Sequence, residues 1–421
     1  MAKLTYDEIL KEAAAPVQPN FSPGPEYADS RRVFQGIPSI ERAPGGRLWA
    51  AWYSGGQGES PLNYVILATS TDDGASWSKP LLAIDPPGRV RACDPNVWLD
   101  PLNRLWLFWT QMHTLHDGRW GVWSIVADDP DREHPSWSAP RRLSDGIMLN
   151  KPTVLRNGEW LFPISHLPAK VMENEKRMLP QFLQNNLRGL VSDTDEKAIN
   201  DRAGACVYAS GDRGATLARR GCARAPDKCS THNEHMVLER DDGSLLMLVR
   251  TSYGIGSSIS GDGGMTWSPV VETGFPHPSS RFFVRRLASG SILLVKHGPL
   301  HSTPGEPKPA RDRLTAYVSA DQGSSWQGGL MLEERECTYP DGTQAPDGTI
   351  YIIYDHGRRK EKMILMARFK EQDIMAGKLV SPRSRLRIVV SHATGVIALE
   401  EDWSRLKGRD GGDQPLIFTG I

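Results

Sequence analysis

Short apolar strands closed by glycine-rich turns recur along this chain from about residue 36 onward. Six segments share one form, an apolar strand, a D/N-G-type turn and a second apolar strand: IPSIERAPGGRLWAAWYSG, PNVWLDPLNRLWLFWTQ, PTVLRNGEWLFPISH, HMVLERDDGSLLMLVRT, FFVRRLASGSILLVKHG and GTQAPDGTIYIIYDHG. Apolar runs of this length bounded by turn residues predict strands, and the turns between them predict hairpins. Each segment is followed by a further strand pair, such as NYVILATS…SKPLLAI or RLTAYVSA…GGLMLEE. The unit is therefore four strands long, the size of a propeller blade, with starts near residues 36, 93, 150, 233, 281 and 340. The pattern predicts an all-β, six-bladed β-propeller.

A second repeat marks the blades more sharply. Ser70-Thr-Asp72-Asp-Gly74-Ala-Ser-Trp77 recurs at 260–267 and 319–326, and a degenerate copy at 210–217 ends in Leu217 instead of tryptophan. In such a turn the aspartate bonds backbone N–H groups two or three residues on, the glycine supplies positive φ, and the tryptophan packs under the hairpin. Asp72, Asp262 and Asp321 are thereby assigned to structure, not chemistry.

Three stretches depart from the repeat. Residues 169–202 have helical periodicity without strand alternation and are expected to form an insertion in blade three, as a lid on the central cavity or packed on the rim. RLRIVVSHATGVIAL is expected to form late strands that close the ring with the N-terminal segment. The organisation expected is an N-terminal helical or extended segment over 1–30 and the propeller over 31–421.

Composition narrows the class. The chain has 421 residues, 39% of them hydrophobic, with 40 glycines, 31 prolines and 13 tryptophans, which suits a turn-rich, aromatic-anchored globular fold. Fifty basic residues balance fifty acidic ones, so no global field would draw in nucleic acid or an anionic membrane. MAKLTYDEILKEAAAP is charged, with a helical pattern and no apolar stretch of signal-peptide length, and nowhere do eighteen apolar residues run together. A soluble, cytoplasmic protein is expected, its five scattered cysteines reduced. The run Cys222…Cys229-x-x-His232-x-x-His235 has neither the spacing of a zinc finger nor its histidines on one strand face, so no metal is expected. No phosphate loop or nucleotide fingerprint is present to imply an organic cofactor.

Ligands of propellers bind where the first strands enter the central channel. Those entrances carry Gly36-Ile-Pro-Ser39, Cys93-Asp94-Pro-Asn96, Asn150-Lys151-Pro-Thr153, His232-Asn-Glu234-His235, Ser280-Arg281-Phe-Phe283 and Tyr339-Pro-Asp341. Backbone packing alone does not require so many ionisable groups. The candidates for catalysis are Tyr339, Glu234, Glu59, Asp94 and His235; those for substrate binding are Arg250, Arg281, Arg311, Lys151, Asn96 and Asp341. Guanidinium forks match carboxylates or sulfates, so Arg250, Arg281 and Arg311 are expected to gather as an anion site.

These residues resemble the sialidases, which share six blades and the same turns, known there as Asp boxes. Asn233-Glu234, HMVLERDDGSLLMLV and Arg250 look like the family's strand pair bearing a catalytic glutamate and a substrate arginine. PLHSTPGEPKPARDRLTAYVSADQGSSW resembles the segment bearing another substrate arginine, which implies Arg311 or, less well, Arg313; CTYPDGTQAPDGTIYIIYDHG resembles that of the nucleophilic tyrosine, which implies Tyr339. The likeness spans residues 33–375. It breaks at Gly36, where the family carries an arginine directly before Ile-Pro, and in YSGGQGESPLN, which offers only Glu59 where the family has its general-acid aspartate. The resemblance implies a carbohydrate substrate and an exo-glycosidase for an acidic or polar sugar other than ordinary sialic acid, with Glu234 as base for the Tyr339 phenol.

Two other readings stay open. A base among His235, His166, His297 and His356, or Tyr339 itself, facing an arginine-neutralised uronate, would eliminate the 4-linked sugar. Without catalysis, the ring would be a carbohydrate-binding propeller.

Overall fold

A computed structural model describes residues 13–56, 58–60, 62–88, 90–113, 120–172, 196–301 and 309–396. The strands form six sheets of four, each antiparallel and in chain order from the channel outward. The six-bladed all-β propeller expected from the repeats is the fold observed. First strands run Phe34–Arg42, Val90–Leu99, Thr153–Val154, Asn233–Glu239, Phe283–Arg286 and Cys337–Gln344.

Stacked sheets bury both faces of the inner strands, so these strands read as continuous apolar runs. The core is a set of apolar layers between neighbouring blades. Between blades two and three, for example, Trp98 meets the edge of Trp160 at 4.9 Å between ring centres. The recurrent turn joins the third and fourth strands at the outer rim. In the copy at 260–267, Ser260 Oγ accepts from Gly264 N at 2.9 Å and donates to Asp262 at 2.8 Å, while Asp262 accepts from Met265 N and Thr266 N. Its reach is thus three and four residues on, one further than expected.

The two ends of the ring meet. Arg385–His392 is the fourth strand of blade six, and Asp29 O and Arg32 O accept from Thr394 N at 2.8 Å and Gly395 N at 3.0 Å. Of the region 169–202, Glu196–Arg202 is an α-helix, and Asn200 Oδ1 accepts from Ala169 N at 3.0 Å. Residues 173–195, most of the insertion expected as a lid or on the rim, and the helical pattern over 1–12 lie outside the described residues.

The expectation of five reduced cysteines is corrected: Cys206 and Cys222, directly opposite on adjacent strands, form a disulfide, and Cys93, Cys229 and Cys337 are free. Cys222 is therefore not offered to a metal. Among the described residues no helix is long and apolar enough to cross a membrane.

Candidate active site

The first strands of blades one, two, four and six each slip register at the channel mouth, between Gly36 and Ser39, Cys93 and Asn96, Asn233 and Met236, and Thr338 and Asp341. At each slip a residue takes the left-handed backbone region: Ile37, Asp94, Glu234 and Tyr339, with φ of 49°, 51°, 40° and 54°, joined in blade four by Asn233 at 64°. Proline follows three of the four, and it forfeits no ladder bond where the ladder is already broken. The stance costs about 1–3 kcal/mol for a non-glycine residue. It upsets the simple alternation of side chains along the strand and re-aims one from each of these blades.

Two of the re-aimed groups meet. Tyr339 Oη donates to Glu234 Oε1 at 2.9 Å, and Arg250 Nη1 donates to the same oxygen at 2.6 Å and to Tyr339 Oη at 3.1 Å. Glu234 Oε2 is buried without a hydrogen-bond partner among the described residues. Burial and the Glu234 carboxylate push the Tyr339 phenol up to about 12, against the pull of Arg250, Arg358 and Arg311. Burial also opposes ionisation of Glu234, but the charges of Arg250 and His232 and the hydrogen bonds from Arg250 and Tyr339 together outweigh it and hold the carboxyl below its ordinary value. Arg311 joins through Ser279: its Nη2 donates to Ser279 O at 2.8 Å, while Arg250 Nε donates to Ser279 Oγ at 3.4 Å. Arg313, the alternative, is half exposed and pairs with Asp312.

Arg358, on the turn between the second and third strands of blade six, is a member that the sequence did not reveal. Its guanidinium lies 4.2 Å from the centre of the Tyr339 ring, and its Nε donates to Asp355 Oδ2 at 2.8 Å. Asp355 also accepts from Ile37 N at 2.9 Å and from Thr338 Oγ1. A cavity of about 350 Å³ adjoins this group, lined in part by Phe34, Glu59, Arg311, Thr338, Asp355 and Arg358.

The two carboxylates toward blades one and two differ in charge. Glu59 pairs with Arg91 at 2.7 Å and accepts from Tyr53 Oη. Burial works to raise its pKa, but Arg91 and Arg358 prevail and keep it ionised, an effect softened by the 35% exposure of its side chain. Asp94 is pushed up to about 7, first by burial and then by Glu59, with Arg91 opposing. A carboxyl poised near neutrality can give and take a proton; a paired one cannot do so readily.

Five expected site residues stand elsewhere. Arg281 does not join Arg250 and Arg311, because its Nε donates to Asn150 Oδ1 at 2.7 Å and its Nη2 to Asp341 Oδ1 at 3.2 Å. Asp341 Oδ2 accepts from Ser39 Oγ at 2.7 Å and Ile40 N at 3.0 Å and pairs with Lys151 at 3.1 Å. Lys151 Nζ donates besides to Ile40 O and Val97 O, and Asn96 Oδ1 lies 3.4 Å from Ser39 Oγ. These four form a floor beneath the mouth: Asn96 and Asp341 lie two residues past Asp94 and Tyr339 on the same strands, and Lys151 and Arg281 lie just ahead of the first strands of blades three and five. His235 is turned into the wall, with Nε2 on Cys206 O at 2.7 Å and Nδ1 3.4 Å from Ser165 Oγ. The other histidines considered as bases are likewise engaged: His166 with Tyr208, His297 with Asp312 O and His356 with Glu336 O. A larger cavity of about 530 Å³ opens below the floor, at the opposite mouth, lined by Asn150, Lys151 and Asp341; neither cavity has Tyr339 or Glu234 in its lining, and the smaller one reaches the site through Arg311 and Arg358.

Comparison with known proteins agrees with this architecture. A sialidase of Micromonospora viridifaciens is 25% identical over 137 residues, 30% of this chain and 20% of that protein, so the match spans about a fifth of the relative's length. The intramolecular trans-sialidase of Ruminococcus gnavus, solved with oseltamivir carboxylate, superposes with a TM-score of 0.56 at 14% identity, covering 83% of this chain and 96% of that one. The NanB sialidase of Streptococcus pneumoniae gives 0.58 at 12%, covering 86% and 71%. A protein of unknown function from Dyadobacter fermentans gives 0.56 at 16%, covering 81% and 94%. At such identities the superpositions speak for the fold. The family model of the BNR repeat-like domain matches residues 45–352, and the chain, a sialidase-like six-bladed propeller, belongs to that family.

Proposed function

We propose that the chain is an exo-acting glycoside hydrolase of the sialidase type that removes a terminal sugar bearing a carboxylate. The observation that carries this reading is the hydrogen bond from Tyr339 Oη to Glu234 Oε1 within a cluster of arginines. A phenol with its pKa at about 12 is a poor nucleophile until a carboxylate accepts its proton, and Glu234, kept ionised by Arg250, is placed to do so. A nucleophile that starts neutral avoids repulsion by an anionic sugar.

In the first step Tyr339 Oη attacks the anomeric carbon as its proton passes to Glu234, and the glycosidic C–O bond breaks. Asp94, protonated up to about pH 7, gives its proton to the leaving oxygen. In the second step Asp94 takes a proton from water, the water oxygen replaces the tyrosyl oxygen on the anomeric carbon, and Glu234 returns the first proton to Tyr339. Arg250 and Arg311 hold the sugar carboxylate. That the Ruminococcus gnavus neighbour was solved with a carboxylate ligand supports this assignment by analogy of fold.

The test is a sugar-acid fluoride with fluorine next to the anomeric carbon, which slows the second step. Mass spectrometry should find the glycosyl mass on the peptide containing Tyr339, and no label on Tyr339→Phe. Full turnover by both Tyr339→Phe and Glu234→Gln would sink the mechanism. A product absorbing in the ultraviolet would replace hydrolysis by elimination.

A further inference from the structure

Gly36 has an ordinary backbone conformation; it is absent from the residues with positive φ, so no turn or strain demands a glycine there. What demands it is space. A Cβ at position 36 would lie 2.8 Å from Arg358 Nε, 2.9 Å from its Cδ and 3.1 Å from its Cγ. These atoms belong to the middle of the side chain, whose Nε is fixed on Asp355. A side chain at 36 and Arg358 in its present place are therefore mutually exclusive.

Arg358 has binding capacity left over. Asp355 takes Nε, Glu59 lies 3.8 Å from Nη1, and Nη2 is buried without a hydrogen-bond partner among the described residues. Its side chain lines the cavity together with Arg311 and lies over the Tyr339 ring. A buried guanidinium N–H without an acceptor is costly, and a planar carboxylate answers that need in two-pronged fashion.

We propose that Arg358 is the third arginine of the anion clamp, delivered by the turn of blade six instead of the first strand of blade one, and that Gly36 is the gap that admits it. The ligand is the carboxylate of the sugar, so this assignment rests on the sialidase-type reading of the site. From its place over the ring Arg358 also favours the tyrosinate that forms as Tyr339 gives up its proton to Glu234, together with Arg250 and Arg311.

The experiment is calorimetric titration with three sugar carboxylates, glucuronate, galacturonate and 2,3-dehydro-N-acetylneuraminate, each beside its methyl ester. The wild-type chain should bind at least one acid roughly tenfold or more tighter than its ester, the worth of a charge-assisted pair. Arg358→Met should cut that preference roughly tenfold, the share of one charge-assisted pair beside those of Arg250 and Arg311, with a far smaller effect on the ester. Arg358→Lys, which keeps the charge and loses the fork, should fall between them. Gly36→Arg combined with Arg358→Gly should restore the preference, which a merely structural role for Arg358 would not allow. If the wild type discriminates and Arg358→Met or Arg358→Lys discriminates equally well, Arg358 is not the clamp and the acidic reading stands. If the wild type discriminates for none of the three acids, the acidic reading falls and the clamp with it.

Discussion

In blades two and six the mouth and the floor of the channel share a strand, two residues apart, and the two levels do opposite things. At the mouth, Asp94, Glu234 and Tyr339 are 8%, 3% and 7% exposed; on the floor, Asn96, Arg281 and Asp341 are 0%, 1% and 0% exposed. Both oxygens of Asp341 are taken, by Arg281 on one side and by Ser39, Ile40 N and Lys151 on the other. The mouth keeps a free carboxylate oxygen on Glu234 and a free guanidinium nitrogen on Arg358 among the described residues. Charge alone therefore does not mark a site, nor does an unpartnered buried atom, which the floor also has at Asn96 Nδ2; charged groups with hydrogen-bonding capacity left over, turned outward by a bulge, do.

The contrast breaks first at Tyr339. Tyr339→Phe should lower kcat by roughly 10⁴-fold or more, as loss of a nucleophile does, while thermal unfolding shows Tm little changed. A variant that keeps its rate, or that unfolds, would make Tyr339 a floor residue in all but position. The converse substitution is Asp341→Ala. It leaves Arg281 and Lys151 buried beside each other without their carboxylate and should cost about 3–5 kcal/mol in urea unfolding, with kcat retained by the molecules that fold.

Asp94 sharpens the contrast through pH. Its pKa is raised in the folded state to about 7, so between the ordinary carboxyl range and pH 7 the folded protein holds a proton that the unfolded chain releases. The associated stability is fully present at low pH and declines as pH rises through that window; the activity of Asp94 as an acid declines over its upper end. Asp94→Asn should lower the rate roughly 10²–10⁴-fold and flatten both declines, read from kcat/KM and Tm between pH 5 and 9. The smallest effect is expected at the rim. Ser260→Ala removes a buried hydroxyl that ties the turn to Asp262 and Gly264, costing about 1 kcal/mol with kcat unchanged.

The ring was legible in the chain because its signals are local: turns such as 260–267 and apolar strand pairs carry their own register. Glu234, Arg250, Arg311 and Tyr339 were legible through their likeness to a known arrangement. Arg281 was misplaced because a strand entrance supplies two levels, and the first strand pair of blade five, unlike that of blade six, has no register slip to lift a side chain to the mouth. His235 was misplaced for the same reason, since alternation was assumed where Asn233 and Glu234 both adopt positive φ. The cysteine pair depended on a cross-strand register, Cys206 opposite Cys222, that no spacing reveals. Arg358 lies one residue past the segment that resembles the tyrosine strand, in a turn with no motif, and only its meeting with Gly36 across the ring closure gives it meaning.

Ile37 takes the same backbone stance as Asp94, Glu234 and Tyr339, yet it carries no ionisable group and sits in the apolar core. The strain at these positions therefore belongs to the scaffold and not to the chemistry it displays. Each bulge is a socket whose geometry persists whatever is plugged into it, so the repertoire of the ring can be rewritten one side chain at a time, and blade one holds a socket still fitted with a blank.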